Sequence, residues 1–205
     1  MTTVVLLAGG KSSRMGTDKL MLPQQDTTVL EQAVRRFSSA FDRICVSVAR
    51  LDDYPGISAE HIADEFPGSG PMAGIHAGLK HCGPEGAFFC AADLPFSDPK
   101  AALLIMEKCP EDAEICVAAG PTGQPEPLFG FYRVSVLPRA EELLLAGRFR
   151  MRELLDACAT CCLTEREAGG IWNGAGFANM NTPEDYRRLL GGKPLPEDDG
   201  SARQQ

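Results

Sequence analysis

The chain has 205 residues, 44% of them apolar and 23% charged, and a formal net charge of −8 at pH 7. That profile fits one globular domain with a sizeable core. No apolar run approaches the roughly 18 residues that span a bilayer, and a sequence pI near 4.9 argues against the basic stripe of a nucleic-acid binder.

Residues 2–7 (TTVVLL) are apolar and β-branched and read as a buried strand. No basic segment precedes that run, so no secretory signal is read, and a cytoplasmic protein with reduced thiols is expected. Residues 27–40 carry Val29, Leu30, Ala33, Val34 and Phe37 at helical spacing. Thr27 or Thr28 can cap that helix, with Glu31 completing a capping box three residues after Thr28. Residues 44–48 form a second strand, and Gly70-Pro71-Met72 opens a helix that runs through Lys80. Residues 87–92 are a strand apolar on both faces. Asp98 as N-cap and Pro99 at the first helical position start a helix to about Lys108.

Strands then follow at 114–119 and 127–132, helices near 136–146 and 151–157, a short strand at 160–164 and a last helix from Thr182. Continuous apolar strands alternating with helices predict an α/β fold with a mostly parallel sheet covered on both faces. Residues 1–190 read as a single domain. Residues 191–205 are rich in Gly, Pro and charge and read as a disordered tail.

The first strand ends in Gly9-Gly10, and Lys11, Arg14 and Lys19 follow within nine residues of one another. Ligands of open α/β sheets lie beyond the carboxyl ends of the strands. Glycines there let backbone N–H groups face a phosphate, and the cations add charge. The spacing is neither a Walker A loop nor a G-x-G-x-x-G fingerprint. Asp93 ends the third strand and precedes Leu94-Pro95. It is either a Mg²⁺ ligand, since Mg²⁺ takes one or two carboxylates plus substrate phosphates, or a cap of the turn.

Asp64 opens a Gly- and Pro-rich stretch (DEFPGSGPMAGIHAGL) in which Gly74 and Gly78 can be explained by packing alone. His76 and His81 read as packing or surface residues. Cys158, Cys161 and Cys162 form a C-x-x-C-C cluster without the second ligand pair a zinc site needs. Arg148, Arg150 and Arg152 read equally as a phosphate contact or a solvated face.

Leu7 to Lys19 (LAGGKSSRMGTDK) resembles the L-A-G-G-x-S-x-R-M-G-x-D-K signature of the nucleotide-diphospho-sugar transferase fold, a three-layer αβα, Rossmann-like arrangement. PGSGPMAGI (67–75), AADLPF (91–96), PEPLFGFYR (125–133) and FANMNTPEDY (177–186) are similar to the molybdenum cofactor guanylyltransferases, the MobA-type proteins. The resemblance implies transfer of GMP from GTP to the terminal phosphate of molybdopterin, with release of pyrophosphate and with Mg²⁺ as cofactor.

It further implies that Leu7, Ala8 and Gly9 line the guanosine through backbone groups. Gly10, Lys11, Arg14 and Lys19 would hold the phosphates, Asp64 would lie near the guanosine, Asp93 would bind Mg²⁺, and Asn179 and Asn181 would sit near the pterin. Molybdoenzyme-maturation proteins are the implied protein partners, with no role for nucleic acid or membrane. Where the family often has an Asn after the second strand, this chain reads Ala49-Arg50-Leu51-Asp52. A cytidylyltransferase of the same fold and a non-catalytic binding module are the alternative readings.

Overall fold

The computed structural model describes residues 1–9, 18–172, 174–178, 180 and 182–191. The first strand, β1 (Thr3–Leu7), is buried along its whole length. Alternate side chains serve two cores: Val4 and Leu6 pack on one face, Val5 and Leu7 on the other. After a single 3-10 turn at Lys19–Met21 come two very short strands, β2 (Pro23–Gln24) and β3 (Thr27–Thr28), paired antiparallel. Gln25 turns between them with φ +56°.

Helix α1 (Val29–Ser38) begins at Val29, the first residue of its apolar periodicity, and both threonines before it hold extended backbone. Thr28 is the N-cap and accepts from Glu31 N at 3.2 Å. The Glu31 carboxylate does not complete the box on the backbone but takes the Thr27 hydroxyl.

Strand β4 (Arg43–Val48) pairs parallel with β1, and β5 (Glu60–Ala63) pairs parallel with β4. Sequence reading missed β5. It is a polar edge strand in which Ile62 alone is buried, and short polar strands at an edge resist pairing with other chains. Helix α2 (Pro71–His81) is buried from Met72 to Leu79. Strand β6 (Ala87–Ala91) pairs parallel with the other side of β1. Helix α3 (Pro99–Lys108) begins as expected, with the Asp98 side chain accepting from Lys100 N at 2.8 Å.

Strands β7 (Ile115–Ala119) and β8 (Pro125–Tyr132) form a hairpin, so β8 runs antiparallel to both β6 and β7. The sheet is thus mixed but mostly parallel. The β7–β8 register shifts between Val117 and Ala118. That irregularity accommodates Pro127, which has no N–H to give to a ladder. Helices α4 (Leu137–Leu145) and α5 (Met151–Ala157) lead to β9 (Thr160–Leu163), parallel to β7.

The seven-stranded order is β5-β4-β1-β6-β8-β7-β9. Helix α6 (Pro183–Leu190) closes the described chain with a full Thr182–Asp185 capping box. α1, α3 and α6 bury their apolar residues against one face, and α2, α4 and α5 against the other. This is the three-layer αβα arrangement. His76 is fully buried within α2, packed edge-on against Phe66 at 5.1 Å. Among the described residues no helix is long and apolar enough to cross a membrane.

Candidate functional site

The carboxyl ends of β1, β4, β5 and β6 lie side by side, so the residues following each strand share one edge. At the end of β1 the ladder already uses the Ala8 N–H, which donates to Ser47 O at 2.9 Å. The Leu7 carbonyl accepts from Ala92 N at 3.1 Å. Leu7 and Ala8 are buried at the lip, and Gly9 stands beyond the last ladder bonds.

Asp64 follows β5, with its N–H on Val48 O at 2.9 Å. Its Oδ1 accepts from the buried Ser47 hydroxyl at 2.8 Å, and its Oδ2 reaches over Gly9, where a Cβ would stand only 3.0 Å away. Burial pushes the Asp64 carboxyl above its usual range, while the Ser47 bond pulls it down. Gly74 of α2 completes this stack. A Cβ there would meet Ser47 Oγ at 2.5 Å and Leu7 Cδ2 at 2.7 Å. Gly78, one turn on, faces the Phe89 ring and Val5, which is packing.

Across β1 from Asp64, Asp93 follows β6. Its carboxylate forms an ion pair with Lys19 Nζ, 74 residues away in sequence, and both side chains are mostly buried. Local structure aims each partner. Asp18 caps the Lys19–Met21 turn by accepting from Leu20 N at 3.0 Å, and Tyr54 donates to the second Asp18 oxygen at 2.7 Å. The turn after Asp93 is held by Arg36 of α1, whose Nη1 donates to Leu94 O at 3.0 Å and to Ser97 Oγ at 2.8 Å. The Asp93 carbonyl accepts from Met180 N at 3.3 Å, tying the carboxyl-terminal segment to this edge.

Asp93 Oδ1 takes no hydrogen bond from a described residue. A single carboxylate with one uncommitted oxygen fits Mg²⁺, which keeps several waters and takes substrate phosphates as ligands.

Lys19, Asp93, Asp64, Leu7, Ala8 and Gly9 therefore lie along one edge of the sheet. Gly10, Lys11, Arg14, Asn179 and Asn181 lie outside the described residues. Ser47, Tyr54 and Arg36 were not found from sequence. Only Ser47 left a signal there, as the one polar residue in the apolar run ICVSV. The departure after β4 has no buried substitute: Arg50 pairs with Asp52 at 2.8 Å, and both are exposed.

Arg148 and Arg152 also pair with acidic neighbours, Glu153 and Asp156, and Arg150 is the N-cap of α5. The C-x-x-C-C cluster is split by the sheet. Cys161 joins the α1–α3 face, whereas Cys158 and Cys162 join the opposite one.

A family model described as the MobA-like NTP transferase domain matches residues 4–161. The chain belongs to this family. Among MobA-like relatives, a Carboxydothermus hydrogenoformans protein named probable molybdenum cofactor guanylyltransferase is 32% identical, over 92% of this chain and 94% of its own length. The crystal structure of molybdopterin-guanine dinucleotide biosynthesis protein A from Archaeoglobus fulgidus superposes with a TM-score of 0.80 at 25% identity. That match covers 93% of this chain and 97% of the other. A Mycobacterium tuberculosis protein solved in complex with manganese shares the fold, with a TM-score of 0.65 at 22% identity over 94% of this chain and 99% of its own.

Proposed function

We propose that this MobA-like protein transfers GMP from GTP to the terminal phosphate of molybdopterin, with release of pyrophosphate. The observation that carries the reading is the pairing of Lys19 with Asp93 beside the Gly9–Asp64 contact at one sheet edge. It puts an ammonium and a hard carboxylate on the same sheet edge as the Gly9–Asp64 contact, in a chain of this family. Near-full-length similarity to a protein named guanylyltransferase supports the choice of base.

In this reading Gly9 gives the nucleoside access to the backbone at the end of β1, and Asp64, oriented by Ser47, accepts a hydrogen bond from the guanosine. Lys19 moves from Asp93 to the phosphates, so the site exchanges one neutralised pair for another as GTP enters. Arg14, Lys11 and the Gly10 N–H complete the phosphate contacts on the leaving pyrophosphate. The attacking phosphate of molybdopterin displaces it in line, with no covalent enzyme intermediate. The protein supplies position and charge. Mg²⁺ held on Asp93 supplies neutralisation of the phosphate oxygens.

Asn179 and Asn181 are assigned to the acceptor. A pocket of about 320 Å³ lined by Phe96, Phe129, Trp172 and Phe177 lies within the size range of small-molecule sites and is the candidate place for it. Cytoplasmic location and delivery of the product to molybdoenzyme-maturation proteins belong to the same proposal.

Thermal melts with GTP, CTP, ATP and UTP, each with Mg²⁺, test the base, because a ligand of the native state alone raises its stability. At 100 times its Kd, GTP should add about 2.7 kcal/mol. A larger shift with CTP overturns the choice of guanine. Absence of pyrophosphate release with every nucleotide and molybdopterin overturns the enzyme reading.

A further inference from the structure

Among the described residues, two that are not glycine hold a left-handed backbone, Gln25 and Tyr54. Gln25 turns the tight β2–β3 hairpin, where positive φ is the usual solution. Tyr54 has no such reason. It lies in the loop between β4 and β5, which run parallel, and its φ is +57°. Pro55 follows it, and proline favours extended backbone in the residue before it. A bulky side chain at positive φ is a genuine outlier, and such outliers persist where their surroundings hold them.

Two contacts hold this one. The half-buried ring packs against the α1–α3 core, and the buried Ile57 gives its N–H to the Tyr54 carbonyl at 3.0 Å. The hydroxyl leaves the loop and donates to Asp18 Oδ2 at 2.7 Å, across 36 residues of sequence. Asp18 commits its other groups to its own turn: Oδ1 accepts from Leu20 N at 3.0 Å, and its carbonyl accepts from Met21 N at 3.0 Å.

The Lys19–Met21 turn is thus pinned on both sides of Lys19. After it in the chain, Leu20 and Leu22 are buried in the core. Before it, the Asp18 carboxylate is tied to the β4–β5 loop. The Lys19 ammonium meets Asp93 after β6, so one turn links the ends of β4 and β6, the two neighbours of β1. A lysine is a compact charge on a flexible stem, and what the fold can set is the point from which that stem departs.

We infer that Tyr54 is a positioning residue for Lys19: its hydroxyl, acting through Asp18, fixes the turn from which the ammonium reaches Asp93 or a bound triphosphate. The inference rests on the transferase reading above. It gives the β4–β5 loop a part in nucleotide handling by an indirect route, through the lysine rather than through a contact of its own with the base. A hydroxyl bonded to a carboxylate is a short, charge-assisted contact, and an electrostatic stabiliser acts only where it is accurately placed.

The test uses the full chain with GTP, molybdopterin and Mg²⁺ and reads pyrophosphate release. Tyr54→Phe removes one oxygen and keeps the ring, and a cooperative melt near the parent's reports an intact fold. Its kcat should fall about tenfold, short of the roughly 10²-fold that a misplacement of one ångström can cost. The KM for GTP should change by less than about twofold, the pattern of an interaction made in the transition state. Added to Lys19→Ala or to Asp18→Ala, the same substitution should cost nothing further, because residues in one chain of contacts are not additive.

A second measurement needs no turnover. On brief treatment with acetic anhydride, acetylation of Lys19 relative to the exposed Lys100 should rise severalfold in Tyr54→Phe. An unchanged kcat, a loss carried by KM alone, a loss that multiplies with that of Lys19→Ala, or an unchanged acetylation ratio overturns the assignment. A parent chain that releases no pyrophosphate fails the transferase reading instead, and the acetylation ratio then decides by itself whether Tyr54 holds the lysine.

Discussion

Lys19 and Asp93 neutralise one another in the described structure, and the proposed mechanism gives each a separate duty once GTP enters. Removing Lys19 takes the ammonium from a mostly buried carboxylate, and removing Asp93 takes that carboxylate from the ammonium. Lys19→Ala and Asp93→Ala should each lower the rate of pyrophosphate release by about 10²–10³, the size of one lost electrostatic stabiliser. For Asp93→Ala the loss should persist at saturating GTP and magnesium.

Asp64 gives a stability prediction with a definite sign. Its folded carboxyl titrates above the unfolded value of 3.8 because burial penalises the anion. The native state therefore binds the extra proton between the two values. That contribution is complete below the unfolded pKa and is lost as pH rises through the folded one. Asp64→Asn keeps an acceptor for Ser47 and never ionises. It should melt higher than the parent at pH 7, and the gain should shrink toward pH 4, while affinity for GTP falls. A series of melts across that pH range, with and without GTP, checks both halves.

At this scale the sequence shows a good deal: glycines, cations and a strand-ending acid announce an anion site. It does not show that Lys19 reaches Asp93 across 74 residues. Nor does it show that Arg36 holds the turn behind Asp93, because a half-buried arginine within a helix looks like any surface cation.

At the scale of elements, caps were legible because they are local. Thr28, Asp98 and Thr182 each cap the helix that follows them. Pairing was less legible. Nothing within PEPLFGFY states that its strand runs against its neighbours, and β5 was missed because an edge needs little apolar surface.

The contact of α2 with the sheet shows how packing and site meet. Gly74 lets the helix approach until Ser47 Oγ lies where a Cβ would go. Gly74→Ala should therefore push helix and sheet apart, at a cost of about 1–3 kcal/mol, the range for overpacking a close contact. Because Ser47 also orients Asp64, the KM for GTP should rise in the same variant. Gly78→Ala meets the Phe89 ring and Val5 instead. It should lose stability without that change in KM. Melting temperatures and steady-state kinetics on the two variants separate the effects.

The last helix is anchored to the body of the molecule through its one buried residue, Tyr186. Tyr186 is 2% exposed, and its hydroxyl donates to Pro23 O at 2.7 Å, joining α6 to the β2–β3 ribbon. Tyr186→Ala should cost about 3 kcal/mol, as for other large aromatic truncations, measured by denaturant unfolding. Ending the chain at Gly191 should leave the melt unchanged, because residues 192–205 contain Leu195 as their one large apolar residue.

The reversed course of β8 has a consequence for how such a scaffold can diversify. Its first residues come back to the rim on which Asp64 and Asp93 stand, and they do so through a hairpin tip of five residues, 120–124, rather than through a crossover helix. A tip of that kind can lengthen, shorten or change its side chains while the four parallel strands β5, β4, β1 and β6 keep their spacing. In the proposed reaction, selectivity for the acceptor can thus drift independently of selectivity for the donor nucleotide.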